Sequence, residues 1–136
     1  MSLIPLTFQR ILQSRNYTLI LLGTDEKKFG IYTEPRVGAE LQGLIAVKAI
    51  HRPPTSLLLS KILTGLETKV IQVVINDVQD TVFFSRLFLE VKKGDITEVI
   101  EIDARPSDSI SLAMINGAPL YCTKAFIEKV TPIDAL

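Results

Sequence analysis

The chain has 136 residues, of which 47% are hydrophobic and 22% charged, and its fifteen basic residues balance fifteen acidic ones. This fits one compact domain and excludes a disordered or multidomain chain, and the neutral balance excludes a general attraction to phosphate backbones or anionic membranes. One cysteine, Cys122, and one histidine, His51, exclude an intramolecular disulfide framework and zinc sites of the finger or multi-histidine kind.

The cysteine count fits a reducing cytoplasm, and a mean hydropathy of +0.31 suggests that some apolar surface is hidden in a partner copy. Met1 to Asn16 lacks the basic start, apolar stretch and small-residue cleavage site of a secretory signal, so it is expected to belong to the mature fold. No uncharged apolar run approaches the ~20 residues of a membrane helix, which predicts no membrane span.

Residues 17–22 and 29–33, separated by a polar turn at 24–28, predict a β-hairpin. From Arg36 to Ile50 the spacing of Val37, Leu41, Leu44 and Ile45 predicts a helix, with Gly43 explained by a close helix contact. His51-Arg52-Pro53-Pro54 stops it, and Thr55 is placed to cap a second helix. Leu58, Leu59, Ile62, Leu63 and Leu66 mark one face of that helix, with Ser56, Ser60, Lys61 and Thr64 on the other, so the two helices are expected to pack as a pair over the sheet.

Three β-branched and aromatic runs, Val70–Val78, Val82–Val91 and Ile96–Asp103, predict an antiparallel meander. Strand alternation puts Glu101 and Asp103 on one face of its last strand. Arg105-Pro106 ends the meander, Ser107 or Asp108 can cap the next helix, and Asn116-Gly117 stops it. A short strand around Ala118–Cys122 and a helix over Lys124–Val130, capped by Thr123, complete an α+β fold: a mixed, largely antiparallel sheet packed with several α-helices.

The stretch from Ile102 to Asp108 compresses two acids, a guanidinium and a hydroxyl into a strand end leading into a helix start. A helix amino terminus offers free amides, Arg105 can form paired hydrogen bonds to a phosphate, and Asp103 with Asp108 or Glu101 could hold a hard divalent cation such as Mg2+ or Mn2+. The same residues also suit a structural turn, in which Asp108 or Ser107 caps the helix and Asp103 pairs with Arg105. Cys122, in an apolar strand, reads as a packing residue, and His51 as a helix-end or solvated residue. Lys27-Lys28 and Lys92-Lys93 fall at hairpin turns, where they could guide a phosphate chain only if they share a side with Arg105.

Arg52-Pro53-Pro54-Thr55, Val73-Val74-Ile75, Asp80, Phe83-Phe84, Leu87, then residues 102–110, Leu112-Ala113 and 117–121 resemble the bifunctional nuclease domain family in order and spacing. The resemblance spans about residues 19–130 of one domain, and the Asp-Ala-Arg-Pro-Ser-Asp block is its specific part. It implies an α+β domain, commonly a homodimer, in a family whose members are credited with cleaving DNA and RNA. Two departures stand out. The family's His-Asp pair after Arg-Pro-x-Thr is here Ser56-Leu57, and its acidic residue in the first helix falls at Val37, with Glu34 and Glu40 nearby.

The resemblance then implies a phosphodiester hydrolase, weakened by the lost pair, in which Asp103 and Asp108 bind a metal or orient water, Arg52 and Arg105 hold the phosphate, and Ser107 supports the helix-end anion site. A noncatalytic dimeric binding module of the same fold is the alternative, and a sensor of a small phosphate or carboxylate is the third.

Overall fold

The computed structural model describes residues 2–46 and 54–133. The expected end of the first helix, Val47–Ile50, and His51, Arg52 and Pro53 lie outside them. Among the described residues seven strands and four helices follow in the order β1 (Leu3–Gln13), β2 (Thr18–Gly23), β3 (Lys28–Thr33), α1 (Pro35–Ile45), α2 (Thr55–Gly65), β4 (Thr68–Gln79), β5 (Val82–Lys93), β6 (Ile96–Ala104), α3 (Pro106–Asn116), β7 (Leu120–Thr123) and α4 (Lys124–Lys129).

The strands form one sheet in the order β3-β2-β1-β7-β4-β5-β6, antiparallel throughout except for the parallel β4–β7 pair. The hairpin, the meander and the α+β class are as the sequence predicts. The unpredicted element is β1, which joins the hairpin to β7 and so makes the two halves continuous. The sheet curls enough for Phe29 on β3 to stack on Phe83 of β5, with ring centroids 6.2 Å apart and Phe126 of α4 edge-on to Phe29. The main core fills that curl with Ile20, Leu22, Ile31, Leu41, Ile75, Ile110 and Cys122, while a second cluster of Val70, Val73, Leu87 and Leu89 packs under α3.

The helices depart from expectation in three ways. First, α1 and α2 do not form a pair, because α3 packs against both of them. Second, Gly43 has open space where a Cβ would stand, whereas a Cβ on Gly38 would collide with Gln13 and Thr18. The close approach is therefore at Gly38, where the Thr18 hydroxyl lies 2.9 Å from Gln13 Oε1 and 3.0 Å from the Glu34 carbonyl.

Third, α2 is turned over. Its buried residue is Ser60, 6% exposed, while Leu58, Leu59, Ile62 and Leu66 are 43–66% exposed and Leu63 alone of the expected apolar face reaches the second cluster. Ser60 faces Asn116 of α3, whose amide nitrogen donates to Ser60 Oγ at 3.2 Å and to the Leu112 carbonyl at 2.8 Å. Thr55 is not the cap either: Pro54, already extended, holds that position and its carbonyl accepts from Leu57 and Leu58. Thr123 does cap α4, its hydroxyl accepting from the Phe126 amide at 3.1 Å, and Gly117 closes α3 at φ +63°.

Candidate functional site

Strand β6 runs into α3 at Arg105, which takes the N-cap position in extended conformation because Pro106 occupies the first helical position. Two buried hydroxyls hold this junction. Ser85 of β5 donates to the Ala104 carbonyl, so its oxygen accepts from Ser109 of α3 at 2.9 Å. One strand, the turn and the first helical turn are thereby fixed to one another.

Neither expected cap forms. Ser107, moved into the helix by Pro106, is buried, and its carbonyl accepts from Ser111 Oγ at 2.9 Å. Asp108 turns its carboxylate to Arg105, whose Nε and Nη2 donate to Oδ2 and Oδ1 at 2.7 and 3.1 Å. This two-bond clamp lies in solvent, with the side chains 76% and 52% exposed. Asp108, first, and the more distant Glu34 keep the guanidinium charged by favouring its protonated form. Among the described residues the Nη1 edge of Arg105 has no hydrogen-bond partner, so it is the edge open to an incoming anion.

Arg105, Pro106 and Ser107 line one side of a cleft of about 270 Å³, with Tyr32 and Thr33 of β3 and Thr81, Val82 and Phe83 of the β4–β5 turn on the other. Tyr32 and Thr33 lie some seventy residues from Arg105 in the sequence and are brought beside it by the curl of the sheet. Glu34 stands at the start of α1 close enough to act on Arg105, while Val37 packs into the main core. Of the two acids near the departed family position, the structure places Glu34 beside the arginine.

Asp103 does not pair with Arg105. Its carboxylate and that of Glu101 flank Arg86 on β5, at 3.6 and 3.4 Å, because the β5–β6 register sets Arg86 opposite Asp103. Glu101 and Asp103 thus share a face, as alternation requires, but Asp108 belongs to a separate pair. Among the described residues no three His, Cys, Asp or Glu side chains converge to hold a metal ion. Among the described residues the carboxylates of Glu101, Asp103 and Asp108 are divided between Arg86 and Arg105 and do not converge on one cation.

The lysine pairs do not line this cleft. Lys27 donates to the Ile127 carbonyl at 2.6 Å, and Lys93 pairs with Glu98 at 3.0 Å. Cys122 is fully buried, and burial pushes its thiol up to about 11, so it is the expected packing residue and not a nucleophile. Ser56 and Leu57 sit half-buried in the first turn of α2. Arg52 lies outside the described residues.

Sequence reading missed Arg86 and the Ser85–Ser109 pair, and named Glu34 only as one of two acids near the departed family position. Arg86 and Ser85 could be found only from strand register, and the place of Glu34 beside the arginine only from the curl that sets α1 beside α3.

The arrangement defines an α+β domain with an arginine-lined cleft at a strand-to-helix junction. The family model of the bifunctional nuclease domain matches residues 19–133, and the chain belongs to that family. No curated protein matches it. No helix among the described residues is long and apolar enough to cross a membrane.

Proposed function

We propose that this chain is a nuclease of the bifunctional type, acting in the cytoplasm on DNA or RNA phosphodiesters at the Arg105 cleft, with hydrolysis slowed by Ser56-Leu57 in place of the family's His-Asp pair. The observation that carries the reading is the Arg105–Asp108 clamp, which engages the guanidinium through Nε and Nη2 in a residue that lines a cleft. An arginine held in this way loses little freedom when it grips a phosphate. Asp108 competes for the same charge, so the substrate must bring enough negative charge to share the guanidinium.

The lost pair would otherwise supply acid or base help worth about 100- to 10,000-fold. Slow cleavage, with the scissile phosphate polarised by Arg105, is the consequence. A charged hydrogen bond is worth ~1.5–3 kcal/mol, so Arg105→Ala should lower kcat/KM roughly 10- to 100-fold on single-stranded and duplex substrates. The assay is run with Mg2+, Mn2+ or chelator, and cleavage that Arg105→Ala leaves unchanged would overturn the reading by pointing to a contaminant.

A second reading, a noncatalytic binding module, is favoured by the separation of Asp103 and Glu101 from Asp108. It predicts no turnover with any metal, and either binding that weakens steeply with salt or no nucleic-acid binding at all.

A further inference from the structure

The cleft over Arg105 does not end at Tyr32. A second cavity, of about 330 Å³, opens beyond it between Gly30 and Tyr32 of β3, Val78 of β4 with Asp80 of the turn that follows, and the segment after α4. Tyr32, Thr81 and Phe83 line both cavities, so the two make one groove along the gap between β3 and the β4–β5 turn. The far wall is held by the main chain, the Ile133 amide donating to the Lys28 carbonyl at 2.9 Å.

Charge is spread unevenly along this groove. Arg105 stands at one end, met by Asp108 and by the more distant Glu34. At the other end Lys129 is bound to Asp77 at 2.9 Å, and Asp80 lines the same cavity. That end is therefore short of positive charge and unfit for a second phosphate. Between the two ends lie Tyr32, Phe83, Val78 and Ile133, an aromatic and aliphatic stretch.

Tyr32 is the member of that stretch most open to a ligand. Ile31 before it is buried in the core, whereas Tyr32 is 61% exposed. Tyr17 meets it with ring centroids 5.2 Å apart and planes at 74°, an edge-to-face contact that steadies the ring and covers at most one of its faces. A braced, uncovered aromatic ring next to an arginine has the form of a stacking platform for a base.

We propose that the groove takes a single strand of nucleic acid, with one phosphate at Arg105 and the adjoining base, unpaired, laid on Tyr32. A base is flat and uncharged, which matches the middle of the groove, while its phosphate matches the cationic end. In a duplex each base is stacked between neighbours and paired at its edge, so only an unpaired nucleotide offers a face to Tyr32. Both cavities open to solvent, which lets a longer chain enter from the side. The inference rests on the reading of the Arg105 cleft as a phosphate site, and adds to it a preference for unpaired over paired substrate that Tyr32 sets and Arg105 does not.

The test is fluorescence anisotropy of the full chain, with chelator present to stop cleavage. The probes are a labelled oligothymidylate, the same strand carrying abasic sites, and its duplex with oligoadenylate, with thymidine monophosphate as competitor. The single strand should bind more tightly than the duplex. Tyr32→Ala should weaken single-strand binding roughly 5- to 100-fold, the factor that stacking one base on an aromatic ring carries, and Tyr32→Phe should restore it. Abasic sites should weaken binding to the wild type and make no difference to Tyr32→Ala. Loss of Tyr32 should leave the slope of affinity against salt unchanged, whereas Arg105→Ala should reduce it by about 0.7, since only the arginine meets a phosphate. Equal affinity for strand and duplex, a wild type indifferent to abasic sites, or a monophosphate that binds as tightly as the strand would overturn the proposal. Strand-selective binding without turnover under any metal would remove the nuclease reading and keep this one, turnover without strand preference would do the reverse, and no binding to either form would overturn both.

Discussion

Helices α2 and α3 are each eleven residues long, rich in serine and aliphatic side chains, and packed against each other, yet the fold treats them oppositely. α3 buries seven of its residues, serines included, while α2 buries Ser60 alone. In α3 each buried hydroxyl for which a partner is seen bonds to a neighbouring element or to its own helix: Ser109 to Ser85, and Ser111 to the Ser107 carbonyl. Serine is therefore not a mark of the solvent side in this protein. It lets helices approach closely, and in α2 that close approach to Asn116 takes the inward face and leaves the leucines outside.

The largest break in this comparison should come from Ile110 of α3, which is fully buried. Ile110→Ala should cost ~2–5 kcal/mol by denaturant titration, whereas Ile62→Ala in α2 should cost less than about 1 kcal/mol. A similar loss at both positions would mean that α2 is packed inward after all.

Next in size is Ser85→Ala, which leaves the Ala104 carbonyl and the Ser109 hydroxyl without their shared partner and should cost ~1–3 kcal/mol. Loosening of the junction should also raise hydrogen exchange at the first turn of α3. Smaller still is the contrast within α1. Gly43→Ala, into open space, should raise stability by up to ~1 kcal/mol, while Gly38→Ala should lower it by displacing Gln13 and Thr18.

The smallest expected effect is in acid, at α4. Lys129, first, then the Val78 amide and Gln79, hold the Asp77 carboxyl below its ordinary value of 3.8. A depressed carboxyl contributes its stability fully above 3.8 and loses it as pH falls through the lowered value. Exchange at α4 should therefore accelerate at the acid end in the wild type, and Asp77→Asn should remove that dependence.

Much of the fold was legible because local patterns carried it. The meander announced itself through dense β-branched and aromatic runs, which outweigh the two bulges of β4, and the end of α3 through Asn116-Gly117. β1 was not, because Pro5 and a bulge between Phe8 and Arg10 break its alternation and its strand character comes from partners on both sides. Of the candidate site, Arg105 and Asp108 were singled out by the sequence, but Arg105 was expected to pair with Asp103 and Asp108 to cap the helix or bind a metal. That Asp103 turns to Arg86 depends on the β5–β6 register, and it leaves Arg105 to Asp108.

What the sequence determined by itself, then, was the set of elements other than β1 and the charged junction at Asp103–Asp108, which depend on neighbours within a few residues, together with the likeness to one family. Tertiary structure decided which face of α2 is buried, which carboxylate each arginine meets, and which distant turn closes the cleft over Arg105. Those choices depend on strand register and the curl of a seven-stranded sheet, where one residue of slip or one helix between two others reverses the outcome while local propensity stays the same.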